Sequence, residues 1–423
     1  MNAAQRVSGV TDLKNSATSL DNAMDQLKQG IADHDTIVAG GNYTNASPDK
    51  QGAYTDAYNA AKNIVNGSPN VITNAADVTA ATQRVNNAET SLNGDSNLAT
   101  AKQQAKDALR QMTHLSDAQK QSITGQIDSA TQVTGVQSVK DNATNLDNAM
   151  NQLRNSIANK DEVKASQPYV DADTDKQNAY NTAVTSAENI INATSQPTLD
   201  PSAVTQAANQ VNTNKTALNG AQNLANKKQE TTANINQLSH LNNAQKQDLN
   251  TQVTNAPNIS TVNQVKTKAE QLDQAMERLI NGIQDKDQVK QSVNFTDADP
   301  EKKNAYNEAV RNAENILNKS TGTNVPKDQV EAAMNQVNTT KAALNGTQNL
   351  EKAKQHANTA IDGLSHLTNA QKEALKQLVQ QSTTVAEAQG NEQKANNVDA
   401  AMDKLRQSIA DNATTKQNQN YTD

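Results

Sequence analysis

Val136–Lys164 reads VQSVKDNATNLDNAMNQLRNSIANKDEVK. Its apolar residues Val136, Val139, Ala143, Leu146, Met150, Leu153 and Ile157 follow one another at intervals of three and four. That spacing is the seam of an amphipathic helix. No Gly or Pro interrupts it. A rise of about 1.5 Å per residue from 136 to 164 predicts a helix of roughly 43 Å, longer than one small bundle covers. The pattern also recurs. Met24, Met150, Met276 and Met402 stand at equal intervals of 126 (150 − 24, 276 − 150, 402 − 276). A long helix returning at a fixed period is a strut between modules, so the chain reads as an array.

Composition agrees with an all-α array. Hydrophobic residues make up 34 %, with one Phe, seven Tyr and no Trp, so the cores must be small and built from Ala, Val, Leu and Ile. Gly and Pro, 15 and 8, are too few for a disordered linker. The net charge of −7 is spread along the chain without a basic stripe, which argues against nucleic acid. No run of about 20 apolar residues exists to span a membrane. Cysteine is absent, so disulfides and thiol chemistry are excluded. Polar residues follow Met1 where a signal peptide would need an apolar core. The array starts and stops in mid-repeat, as expected of a piece of something longer.

Outward from the strut, each period carries two bundles. In the larger, the loop SQPYVDADTDK (166–176) precedes a helix with the seam Tyr180, Val184, Ala187 and Ile191. Its counterparts are GGNYTNASPDK and SVNFTDADPEK. Ser47, Asp173 and Asp299 stand where an N-cap is needed, with Pro48 and Pro300 at the first helical position. The next helix carries Val204, Ala207, Val211 and Leu218 and closes at Leu-Asn-Gly, read as a glycine C-cap at Gly94, Gly220 and Gly346. The shorter bundle turns at Thr113-His114-Leu115, Ser239-His240-Leu241 and Ser365-His366-Leu367. Ser116 with Gln119 and Thr368 with Gln371 are capping boxes, and Asn242 is the N-cap of the remaining copy. One strut serves both bundles, its first half closing the shorter and its second half opening the larger. The Asn-Gly junction is the expected flexing point.

Little of this is chemistry. Asp171-Ala172-Asp173-Thr174-Asp175 begins like a calcium loop, but Lys176 stands where Gly is required and Thr182 where Glu is, so the helix cap is the better reading. His114, His240 and His366 lie one repeat apart and find no local partner that would make a metal site. No nucleophile motif, phosphate loop or zinc pattern occurs, and slim Ala-rich bundles leave no concave pocket; neither an enzyme nor a cofactor is expected. Tyr54, Tyr180 and Tyr306 fall on the apolar stripe as core. Tyr43, Tyr169 and Phe295, in a column with Tyr421, are either packing plugs or partly exposed binding anchors. No ligand-binding residue can be named.

These residues carry a resemblance. The larger bundle, LDNAMNQLRNSIANKDEV…DKQNAYNTAVTSAENIIN…VTQAANQVNTNKTALNG, looks like a FIVAR module, and the shorter, LSDAQKQSITGQIDSA with VTGVQSVKDNATNLD, resembles a GA-type module. Their alternation resembles the giant cell-wall-associated extracellular-matrix-binding proteins of staphylococci and covers essentially the whole chain. It implies FIVAR-type bundles at 1–94 (with a GA-type helix remnant), 146–220 and 272–346, and GA-type bundles at 95–145, 221–271 and 347–397. A partial FIVAR-type helix follows at 398–423, and it should exchange amide hydrogens faster than 146–171. Together they form an elongated monomeric rod, on the order of 50 Å per unit, a little over one strut. The implied setting is extracellular, at the bacterial cell surface and wall, with fibronectin or another matrix protein as partner and cell-envelope integrity as a further role. GA modules imply albumin as the alternative. Ala118-Gln119-Lys120, Ala244-Gln245-Lys246 and Ala370-Gln371-Lys372 put no aromatic anchor at the start of the second helix for it.

Overall fold

In a computed structural model that describes residues 6–422, every regular element is a helix. The chain divides into two compact units, Met1–Gly220 and Ala221–Asp423. The struts are Val7–Gly30 and Val133–Ile157 in the first unit and Ile259–Ile283 and Val385–Ser408 in the second. The seam read from Val136 onward faces inward as expected: Val136, Ala143, Leu146, Met150 and Leu153 are buried, and Val139 and Ile157 pack at its edge.

The strut is shorter than the seam alone predicts. It ends at Ile157, and Asn159 sits at the N-cap of a separate short helix, Lys160–Ala165, followed by Gln167–Val170. Asp33, Asp285 and Asp411 occupy the same position in the other copies. Asp and Asn compete with helical backbone through their own side chains, and the break lets Val163 fold back into the core.

Two larger-bundle helices complete each core: Pro48–Val65 with Ala75–Thr90, Thr174–Asn192 with Pro201–Thr216, and Pro300–Leu317 with Lys327–Ala342. The shorter bundles use Gly94–Gln111 with Asp117–Ser129, Gly220–Gln237 with Asn243–Asn255, and Gly346–Gly363 with Asn369–Gln381. Their turns are as read, and the capping box closes in all three copies, Asn242 included: its side chain accepts from Gln245 N–H while Gln245 accepts from Asn242 N–H.

Hydrophobic contact is continuous across the strut and not across the other boundary. In the first unit one cluster runs unbroken from Ala105 and Leu109 through Met150 to Val204 and Val211, merging a shorter bundle with the larger bundle that follows it. A separate cluster, Ala23 to Leu92, fills the larger bundle before it. The second unit repeats this: one core spans Leu224 to Leu344, and another holds Ala357 to Ala395. A helix with both halves buried on one stripe fuses what it touches.

Three of the four aromatics in the column pack on the core, and the fourth, Tyr421, is 62 % exposed. Tyr43, Tyr169 and Phe295 pack edge-on against Tyr54, Tyr180 and Tyr306, with centroids 5.9, 6.1 and 6.0 Å apart. They are plugs, half-buried over fully buried tyrosines. Burial pushes the Tyr54 hydroxyl up to about 12. Its oxygen lies 3.4 Å from His34 Nδ1, whereas the buried hydroxyls of Tyr180 and Tyr306 have no partner. A buried unpaired hydroxyl costs about 1–3 kcal/mol. Tyr306→Phe is therefore expected to raise stability by up to about 1 kcal/mol, read from urea denaturation, and a loss of stability would show that the hydroxyl is satisfied.

Candidate functional site: the joints between bundles

The polar residues that recur from repeat to repeat converge on three recurrent contacts. The first is a clamp where a larger bundle meets the shorter bundle after it. Leu-Asn-Gly does not end a helix there. Asn93 and Asn345 stand immediately before the next helix, and Gly94, Gly220 and Gly346 are its first residues. None has positive φ. Glycine is needed for close approach instead: a Cβ on Gly220 would lie 2.8 Å from the Gln167 carbonyl oxygen and nearer still to that of Pro168, and one on Gly346 2.8 Å from that of Asn294.

The loop residues read as caps hold this clamp. Ser47, Asp173 and Asp299 have the extended backbone of an N-cap but make no side-chain cap bond. Their N–H groups donate to Oδ1 of Asn93, Asn219 and Asn345 at 2.9–3.0 Å. Asn219 and Asn345 donate back to Asp173 and Asp299. Asn97 and Asn349 donate to the carbonyls of Asn45 and Asp297. Asn45 and Asp297 then accept the first free N–H of the next strut, at Val133 (2.9 Å) and Val385 (2.8 Å). One loop thus binds a junction and caps a helix 88 residues downstream. At Asn93-Gly94 and Asn345-Gly346, expected as flexing points, the flanking backbone is hydrogen-bonded across the junction.

The second contact is a strap. The loop between the two larger-bundle helices lies over the start of the shorter bundle's second helix. Gln119 Nε2 donates to Thr198 O (2.8 Å) and Gln245 Nε2 to Val325 O (3.0 Å), and both glutamines are fully buried beneath it.

The third is a staple. His114, His240 and His366 each use backbone N–H and Nδ1 on the two oxygens of Asp147, Asp273 and Asp399, at 2.8–2.9 Å. An ionised carboxylate only accepts, so Nδ1 carries the proton. Arg154 Nε donates to the His114 carbonyl. Each histidine ties its turn to a strut residue 33 positions on. The aspartate was legible as the recurring Asp before Ala-Met in LDNAM, LDQAM and VDAAM, but nothing local links it to the histidine.

Two of these carboxyls sit below the usual range. Asn345, then Asn349, lowers Asp299, and the His366 hydrogen bond lowers Asp399. A group lowered in the folded state contributes stability above its unfolded pKa and loses it as pH falls through the folded one. Acidification below about pH 4 should therefore loosen the clamp at Asp299. The clamp at Ser47 and Asn45, with no carboxylate at those positions, is its internal control. After correction for intrinsic rates, protection of the Asp299 amide should fall more steeply below about pH 4 than that of the Ser47 amide, and parallel profiles would refute the assignment.

As for chemistry, Asp171 and Asp173 accept from Gln167 and Asn219. Among the described residues, no group of His, Cys, Asp or Glu comes together that could hold a metal ion, and no helix is long and apolar enough to cross a membrane. A groove of about 570 Å³ between Thr174–Asn192 and Pro201–Thr216 is lined by Ala, Thr, Ser, Gln and Asn, with no titratable group in it. Another of about 510 Å³ lies beside the strap, over Leu249 and Leu272.

Comparison with known proteins agrees with this arrangement. Residues 23–93, 149–219, 275–345 and 401–423 match the FIVAR domain, and 95–149, 221–275 and 347–401 match the GA module. The two matches meet at residues 149, 275 and 401, inside the struts. The chain is 77% identical to the extracellular matrix-binding protein ebh of Staphylococcus aureus strain MW2 over 549 residues, covering all of this chain and 6% of that protein. It is 76% identical to EbhA of strain Mu50, of which it covers 8%. The crystal structure of the 756-1003 domain of Staphylococcus aureus EbhA is similar over 58% of this chain and 98% of that one, with 42% identity and a TM-score of 0.55. The chain belongs to the FIVAR domain family, its FIVAR domains alternating with GA modules as a repeat region of the Ebh type.

Proposed function

We propose that this chain is a stiff, non-catalytic spacer in a wall-associated bacterial surface protein, extracellular, and that its repeats together give weak, multivalent adhesion to host matrix, with fibronectin the first candidate. The carrying observation is the alternation of joints: GA module and following FIVAR domain share one apolar core, and FIVAR domain and following GA module are clamped by hydrogen bonds. Within each unit those boundaries carry no free linker, which suits holding a distal part away from the wall and supporting the envelope. The seven segments read from the sequence act on this view as paired blocks. Small-angle scattering tests the spacer: a particle well beyond about 100 Å supports it, at more than one strut per unit, and a compact globule overturns it.

Binding to immobilised fibronectin at physiological salt, beside a single 126-residue unit (150 − 24), tests adhesion. Saturable binding that strengthens with repeat number is the expected result, since linked weak sites gain avidity; no binding by either chain removes it. The relatives' name, extracellular matrix-binding protein, supports matrix over albumin as partner. So does the second-helix start of the first two GA modules, where Gln119 and Gln245 lie buried beneath a strap.

A further inference from the structure

We propose that the two straps are latches of unequal strength, so that the GA module around His114 is released from its FIVAR domain before the one around His240. The inference rests on these contacts alone and not on the spacer reading. In the first unit the strap is held to the helix start and strut by two hydrogen bonds, Gln119 Nε2 to Thr198 O and Asn142 Nδ2 to Leu199 O at a long 3.4 Å. In the second, Gln245 Nε2 donates one residue further along the strap, to Val325 O, and among the described residues a further set has no equivalent in the first unit. Asn242 Nδ2 donates to both Ile316 O (3.0 Å) and Thr323 O (2.9 Å). Asn243 N–H donates to Lys319 O (2.9 Å), and Lys319 Nζ donates to Ser239 O (2.6 Å) and Leu241 O (3.2 Å).

The difference is written in three positions. Ser116 stands where Asn242 does; both accept from the glutamine N–H three residues on, but Ser116 has no second, amide group like Asn242 Nδ2 to reach the strap. Ala193 stands where Lys319 does and has nothing to donate. Gln196 replaces Gly322, where a Cβ would lie 2.6 Å from Asn242 Nδ2 and 2.7 Å from Ile316 O, so the tight passage of the strap over the helix start is open only to the second unit. Burial of the Lys319 ammonium against the turn lowers its pKa, consistent with a cation withdrawn from water to satisfy two carbonyls.

Opening a latch uncovers the buried glutamine and the Leu115 or Leu241 beside it while the strut stays helical. The array would then give way at a set place and not at random.

Hydrogen exchange on the whole chain tests this. After correction for intrinsic rates, amides 242–245 are expected to exchange at least about tenfold more slowly than 116–119, the equivalent of one or two net hydrogen bonds. Asn242→Ser and Lys319→Ala should each shrink that ratio while leaving the helix amides of Leu249 and Val253 protected, which shows that the module stays folded. Should either variant expose those amides, the gain variant Ala193→Lys with Ser116→Asn and Gln196→Gly decides: it should slow 116–119 several-fold. Equal protection of the two sites in the unaltered chain overturns the proposal, as does a ratio that neither the loss variants nor the gain variant moves.

Discussion

Gly346→Ala should destabilise the second unit by about 2–4 kcal/mol, although alanine is the better helix former by up to about 1 kcal/mol. The methyl group would enter the space of the Val293 and Asn294 carbonyl oxygens, and both are backbone, fixed by the short helix Val293–Thr296. The strain is not confined to one residue. Pushing that loop away from Gly346 separates Asp299 from Asn345, Asp297 from Asn349 and, through Asp297, the N–H of Val385 from its cap. Each bond contributes about 0.5–1.5 kcal/mol net, and they fail together. Gly125→Ala is the control. It lies within Asp117–Ser129 with nothing within 4 Å of its added Cβ, and should stabilise by about 0.5–1 kcal/mol. Urea denaturation of both variants checks the opposite signs. A neutral Gly346→Ala would mean that the loop yields at no cost and that the clamp is not tight.

Leu146→Ala should cost about 2–5 kcal/mol, the range for a leucine truncated in a packed core. The more telling result is where the loss appears. Leu146 is fully buried at the middle of the strut Val133–Ile157, inside the cluster that joins the GA module to the FIVAR domain after it. Exchange should accelerate together in Gly94–Gln111 and in Pro201–Thr216, on both sides of the strut. Leu27→Ala, in a strut whose cluster fills one FIVAR domain, should cost a similar amount and be felt only between residues 20 and 92. Acceleration on one side alone for Leu146→Ala would show that the shared helix transmits nothing and that the modules fold separately.

These expectations rest on features unequally legible in the sequence. The struts were plain because seam residues are spaced by the helix itself, and period and burial coincide at Ala143, Leu146, Met150 and Leu153. The capping boxes were plain for the same local reason. What misled was punctuation whose cause is distant. Gly94, Gly220 and Gly346 look like helix stops, since glycine commonly is one, but they answer to a loop about fifty residues earlier that must pass close by. Ser47, Asp173 and Asp299 hold cap positions yet spend their polar groups on an asparagine 46 residues on. The His–Asp staple spans 33 residues and has no periodicity to betray it. Contacts between elements leave no trace in any one element's pattern, so one chain alone gave the scaffold and concealed the fastenings.

The reach of those fastenings bears on heredity. The clamp from loop to strut spans 88 residues in each unit, the straps about 80, the staples 33, all less than the 126-residue period. Removing or inserting one whole period therefore brings equivalent positions together at the same separations on either side of the seam. Unequal recombination between copies can change the length of such a gene without a misfolded product, so the number of repeats is a quantity that a lineage can adjust while every joint is inherited intact.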